Sequence, residues 1–253
     1  MIRAARALLL LALLAAPAQA HRRVVSLNLC TDQMLVLLAP EQVVALSPLA
    51  RDPTLSLVAQ QAATMPVTRA SAEAVLRLHP DLVLAAPYGA QTTLGLLEEQ
   101  GIKVERIDLP TDFSGIRAQT RKLAALLGVP ARGEALIAAM DAKLAALKPP
   151  ARPLRALVWQ PRGYAAGPGS LADAVLKAAG LTNIGTGRQV GLEALLRLRP
   201  DLLVLPSPSE FPSLATELLN HPATSGIPRR FVPPALTICA GPWTAGAAVM
   251  LDR

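Results

Sequence analysis

Glu73-Ala-Val-Leu-Arg-Leu-His-Pro-Asp-Leu-Val-Leu84 recurs 120 residues later as Glu193-Ala-Leu-Leu-Arg-Leu-Arg-Pro-Asp-Leu-Leu-Val204. Eight of the twelve positions are identical; three exchange Val and Leu, and one exchanges His and Arg. Each copy reads as a short helix with inward leucines, stopped at a proline, with Asp-Leu leading into a buried strand. Proline disfavours the α conformation in the residue before it, so His79 and Arg199 should close their helices. The apolar runs Leu82–Ala86 and Leu202–Leu205 suit strands covered on both faces, as in a parallel sheet. One such unit in each half predicts a duplicated chain with two similar lobes.

Working outward, the N-terminus carries Arg3 and Arg6, an apolar stretch at Ala7–Ala16, and the small-residue site Ala18-Gln-Ala20. This is the pattern of a cleaved signal peptide over residues 1–20, too short for a membrane span, with His21 as the mature start. Without Arg3 and Arg6 the net charge falls from +7 to +5. The basic residues are dispersed, with no run beyond pairs such as Arg22-Arg23 and Arg229-Arg230. That argues against a nucleic-acid partner and for a solvated surface.

From Arg23 onward, strands and helices alternate as in a parallel α/β sheet. Arg23–Asn28 reads as a first strand, and a helix follows, capped by Thr31 or Asp32. Gly101, Gly128 and Gly180 sit where helices should end. Residues 112–148 interrupt the rhythm with two helices and no strand. The second begins with Pro130, a favoured first helical position, and runs to Leu147. Its length reaches roughly 27 Å, enough to bridge two lobes. Further on, Phe211–Leu219 reads as helical, Arg230–Val232 and Leu236–Ile238 as extended, and Thr244–Leu251 as a final helix. The expected fold class is therefore α/β: two similar lobes with parallel-type sheets flanked by helices, joined by a single long interlobe helix. The expected boundaries are 21–128 for the first lobe, 129–149 for the connecting helix and 150–253 for the second lobe.

Together, the Arg23-Val-Val-Ser-Leu-Asn28 start, the two repeated phrases and the isolated helix near Pro130–Leu147 resemble the periplasmic binding proteins of ABC importers for cobalamin, ferric siderophores and haem. The resemblance covers nearly the whole mature chain. It implies a monomeric periplasmic receptor, without a cofactor of its own, that holds a small metal-chelate ligand between its lobes and docks on an inner-membrane ABC permease. It also implies that Glu73 and Glu193, at matching places in the two lobes, project towards permease arginines. The residues alone allow a plainer reading, in which each is an acidic group in the first turn of a helix. The loop Met65-Pro-Val-Thr68 departs from the family's cobalamin binders, which often carry a ring there. A siderophore or haem receptor is the nearest alternative to a cobalamin receptor. A periplasmic enzyme or sensor on the same fold is the more distant one.

Open α/β sheets bind ligands outside the carboxyl ends of their strands. The loops there supply Asn28, Cys30, Arg51, Tyr88, Trp159, Arg162, Tyr164, Ser207, Cys239 and Trp243 as candidate ligand contacts. Four of these are among only seven aromatic residues in the chain, and rings offer a rigid amphipathic surface. Arg51, Arg162 and Arg188 are candidate partners for ligand anions. Each of these residues reads equally well as loop packing or solvated charge. Cys30 and Cys239 are the only cysteines. They could form a disulfide across the cleft, contact a ligand as thiols, or be two unrelated buried residues. His21, His79 and His221 lack metal-ligand spacing, so no protein-held metal is expected. The Ala166-Gly-Pro-Gly-Ser170 turn lacks both the Lys-Ser/Thr of a phosphate loop and the flanks of a nucleophile elbow. No catalytic group emerges.

Overall fold

A computed structural model describes residues 22–208 and 213–252. The signal-peptide reading, His21 and the 209–212 stretch lie outside the described residues. In chain order the strands are β1 (Val24–Ser26), β2 (Val43–Ala45), β3 (Leu82–Ala85), β4 (Lys103–Arg106), β5 (Arg155–Val158), β6 (Tyr164–Ala165), β7 (Thr182–Asn183), β8 (Arg188–Gln189), β9 (Leu202–Pro206) and β10 (Arg229–Val232). The helices are α1 (Leu29–Leu38), α2 (Ala59–Ala62), α3 (Ala72–Leu76), α4 (Gln91–Glu99), α5 (Phe113–Leu126), α6 (Pro130–Ala145), α7 (Leu171–Ala178), α8 (Leu192–Leu198), α9 (Leu214–Glu217) and α10 (Ala245–Leu251).

Two four-stranded sheets form, in the orders β2-β1-β3-β4 and β10-β9-β5-β7. All their pairings are parallel. Counted from the first strand of each half, both sheets have the order 2-1-3-4, so the duplication extends from sequence to topology. The strands of the repeated phrases, β3 and β9, are each third in chain order and interior to their sheet. Both sheets are covered on both faces. In the first, Val24, Leu82 and Leu84 face a cluster with α1 and α5, while Val25, Val83 and Ala85 face Leu94 and Leu97 of α4. In the second, Ala156, Leu202 and Val204 face α7 and α10, and Leu157, Leu203 and Leu205 face Leu195 of α8. Burial of both pleat faces is why these strands read as continuous apolar runs.

One clamp is repeated in each lobe. The Arg23 backbone N–H donates to Asp81 Oδ2 at 2.9 Å, and its guanidinium donates to the carbonyls of His79 and Leu78 at 3.0 and 2.8 Å. Arg155 does the same with Asp201 at 2.8 Å, Arg199 at 3.1 Å and Leu198 at 3.0 Å. The arginine thus satisfies the open carbonyls at a helix end, and the aspartate fixes the start of the neighbouring strand. His79 and Arg199 adopt φ of 45° and 47°. The residue before proline therefore turns left-handed here rather than extended, reversing the chain into the strand while the arginine holds its carbonyl. We predict that Asp81→Ala and Asp201→Ala each cost about 1 kcal/mol in urea denaturation, and that the two add because they lie in different lobes.

Three further details differ from the sequence expectation. Helix α1 is capped by Asn28, whose side chain accepts the Cys30 N–H, rather than by Thr31 or Asp32. Residues Pro234–Leu236 form a 3-10 turn where Leu236–Ile238 reads as extended. A small antiparallel ribbon, β6 with β8, interrupts the second lobe.

Helix α6 lies between the lobes. Its Leu136 packs on the first-lobe cluster, Met140 on an intermediate cluster, and Leu144 on the second-lobe cluster. It is not alone there. Helix α5 runs the other way, from Phe113 beside the second-lobe cluster to Leu123 and Ala124 in the first. The two helices are joined by Arg117–Asp141 and Arg121–Glu134 ion pairs, and Gly133 sits so close that a Cβ there would meet the Ala124 methyl at 2.5 Å. The C-terminal segment crosses as well: Cys239 and Trp243 belong to the first-lobe core, while Ala247, Ala248 and Leu251 belong to the second. The α6 bridge is thus backed by two further packed crossings.

Candidate functional site

The loops after β1, β3, β5, β9 and β10 gather at the carboxyl ends of the two sheets. In the first lobe, Cys30 in the first turn of α1 is joined by a disulfide to Cys239, with the two Cα atoms 5.2 Å apart. There is no free cysteine in the structure, so the readings with ligand-contacting thiols or unrelated cysteines have no place. Trp243 packs in the same core, and its indole N–H donates to the Cys239 carbonyl at 3.1 Å.

Beside this bridge, Asp32 is fully buried. Its carboxylate accepts the Ser47 backbone N–H at 3.1 Å and the Ser47 hydroxyl at 2.5 Å. Burial raises its pKa to about 7, even though hydrogen bonds from Ser26 and Ser47 favour the charged form. Gln33, the next residue, is also fully buried and accepts the Leu57 N–H. Sequence reading treated Asp32 only as a possible cap. An acid within an apolar helix start was the available signal.

The candidate contacts divide. Tyr88 is 63% exposed, and Tyr164, Arg162 and Arg188 also face solvent. Arg162 takes φ 59° on a 3-10 turn beside Pro161. Ser207 is half-buried and donates its N–H to the Val232 carbonyl. By contrast, Trp159 has no exposed surface, and its indole N–H donates to the Val190 carbonyl at 2.9 Å. Gly163 makes this possible: with φ 72°, a Cβ there would lie 2.8 Å from that same carbonyl. Trp159 and Trp243 are thus core residues rather than cleft surface. Arg51 is occupied too, donating to the carbonyls of Ala62 and Met65 at 3.2 and 2.5 Å. The Asn28 side chain is committed to its helix cap.

Two crevices open at the carboxyl edge of the second sheet. The larger, of about 470 Å³, lies between the ends of β5, β9 and β10 and helices α7 and α10. The smaller, of about 380 Å³, is lined by Ser207, Ser213, Thr216, Glu217 and Asn220 together with apolar groups. They share a rim of Pro161, Leu205, Pro206 and Pro234. Gln160, Pro161, Pro206, Ser207 and Pro208 lie at or just beyond the strand ends where a ligand was expected; the other lining residues were missed in sequence because they come from several separate strands and helices. Among the described residues, no group of three or more His, Cys, Asp or Glu side chains is placed to hold a metal ion.

Glu73 and Glu193 sit elsewhere, in the first turns of α3 and α8, both exposed. Glu73 pairs with Arg77 one turn on, at 3.1 Å.

The profile of a family described as periplasmic binding protein matches residues 24–228. A cobalamin-binding protein of Halobacterium salinarum is 31% identical over 150 residues, which cover 54% of this chain and 40% of that protein. The chain therefore matches well under two thirds of that relative's length. Among solved structures, the periplasmic heme-binding protein RhuT from Roseiflexus sp. RS-1 superposes with a TM-score of 0.72 at 25% identity, covering 91% of this chain and 96% of that one. The heme-binding protein HutB of Vibrio cholerae superposes with a TM-score of 0.76, covering 92% and 98%. At 19% identity it speaks for the fold alone.

Proposed function

The chain belongs to the periplasmic binding protein family, and from that premise we propose that it captures a metal-chelate ligand between its lobes and hands it to an inner-membrane ABC permease. It is a binding protein, not an enzyme. The observation that carries this reading is the pair of crevices at the carboxyl edge of the second sheet, where open α/β folds bind ligands. Exposed Tyr88, after β3, and Tyr164, in β6, add ring surface. The ligand belongs to the class spanning ferric siderophores, haem and cobalamin, which includes the ligands named for its relatives. The metal arrives already chelated.

Docking falls to Glu73 and Glu193. Two exposed carboxylates at equivalent places in duplicated lobes set a two-point register, steering association more than adding affinity. Calorimetric titration with cobalamin, haem and ferric siderophores tests the ligand class: micromolar or tighter binding to at least one is expected, and binding to none overturns the reading. For docking, the double variant Glu73→Arg, Glu193→Arg should lower transport in membranes containing the cognate permease at least tenfold, with ligand affinity unchanged. An equal loss of affinity would assign these residues to the ligand site instead.

A further inference from the structure

Both crevices of the second lobe are lined mainly by apolar groups, but they differ in the polar side chains they carry, and that bears on what the ligand looks like. The larger one is walled by aliphatic groups: Val158, Val204 and Val232 from the three strand ends, Val175 from α7 and Leu251 from α10. Among the described residues, only Gln160 and Thr237 bring polar side chains to its lining. A volume of about 470 Å³ falls within the range of small-molecule sites. Among the described residues, no cation, carboxylate, histidine or cysteine lines it, so these residues offer nothing to a metal centre or to a ligand anion. Placing a hydroxamate, carboxylate or amide there would strip its water with few partners in exchange. Hydrocarbon is the matching occupant, as in other apolar cavities. The smaller crevice, across the shared proline rim, carries Ser207, Ser213, Thr216, Asn220 and the Glu217 carboxylate, and suits hydrogen-bonding groups.

We propose that the larger crevice takes a hydrocarbon substituent of the ligand, an acyl chain or aryl arm, so that this receptor selects amphiphilic metal chelates. The proposal rests on the metal-chelate reading above and narrows it. The chelate head stays at the cleft against the polar crevice, while the apolar arm passes the Pro161–Pro206–Pro234 rim. Selectivity then comes from the arm: each methylene buried is worth about fourfold in affinity.

The test uses the mature protein and three titrants: a ferric trihydroxamate, the same chelate bearing an N-octanoyl chain, and metal-free octanoyl hydroxamate. The acylated chelate should bind at least tenfold tighter than its parent. Ala172→Phe, which fills the crevice from the first turn of α7, should abolish that increment. Ile238→Asp, at a position 49% exposed and on the crevice lining, should reduce the increment without threatening the fold. Equal affinity for both chelates in the unaltered protein overturns the proposal, as does a variant that weakens both alike. If only the metal-free chain binds, and Ala172→Phe removes that binding, the crevice assignment stands and the metal-chelate reading falls. If none of the three binds, both fall.

Discussion

Reducing the Cys30–Cys239 disulfide should lower the stability of the protein by about 4 kcal/mol and its thermal midpoint by roughly 10 °C. The bond closes a loop between residues 209 apart in sequence, so most of the unfolded chain loses freedom when it is intact. Loop-closure entropy grows only logarithmically with length and alone would give about 5 kcal/mol here; residual order in the unfolded chain brings the expected figure down. Cys239 is buried with Trp243 in the first-lobe core, so losing the bond also loosens the segment that returns from the second sheet towards the first lobe. Calorimetric melting with and without reductant, and of the double variant Cys30→Ser, Cys239→Ser, measures the effect. A shift below 2 °C would mean that the packed crossings of α5, α6 and the C-terminal segment already supply the constraint.

The second large effect is a dependence on pH set by Asp32. Its pKa in the folded protein, about 7, lies above the ordinary value of 3.8. Between these limits the folded state holds a proton that the unfolded chain has released, so stability falls as pH rises. The contribution is fully present below about pH 4, is lost through pH 7 and is flat above it. Its size is on the order of 4 kcal/mol. Asp52, Asp112, Glu98, Glu134 and Asp173 act in the opposite sense, since their pKa values lie below the ordinary carboxylate range. The stability they contribute is lost as pH falls below about 4.5, which leaves the window from pH 5 to 7 to Asp32. Urea midpoints at pH 5 and pH 8 should differ clearly in the natural protein and much less in Asp32→Asn. Parallel profiles would show that Asp32 ionises freely in the fold.

The repeated phrase made the lobes legible because its information is local. Leucine spacing gives a helix, proline stops it, and an apolar run with a nearby turn gives a doubly covered strand. Those signals placed α3, β3, α8 and β9, and the missing strand after β4 placed α5 and α6. The clamp of Arg23 on Asp81 was hidden although its parts were in view. The corresponding strands β1 and β3 pair Val24 with Leu82, and β5 and β9 pair Ala156 with Leu202. The intervening chain is twelve residues shorter in the second half, so no fixed spacing announces the match. Trp159 was misplaced for a related reason. A ring at a strand end suggests a cleft, but the Val190 carbonyl and the space left at Gly163 draw the indole inward.

The sequence by itself determined the α/β class, the duplication, the helical midpoint and the pair of equivalent glutamates, since each follows from periodicity and punctuation within a dozen residues. Only the tertiary structure decided that Cys30 meets Cys239, that Asp32 is sealed beneath Ser47, that Arg51 and Asn28 serve the loops holding them, and that strands β5, β9 and β10 end around an apolar crevice. Those outcomes depend on which distant surfaces come together when both faces of each sheet are covered, and residues brought into contact from opposite ends of a chain leave no periodic trace in it.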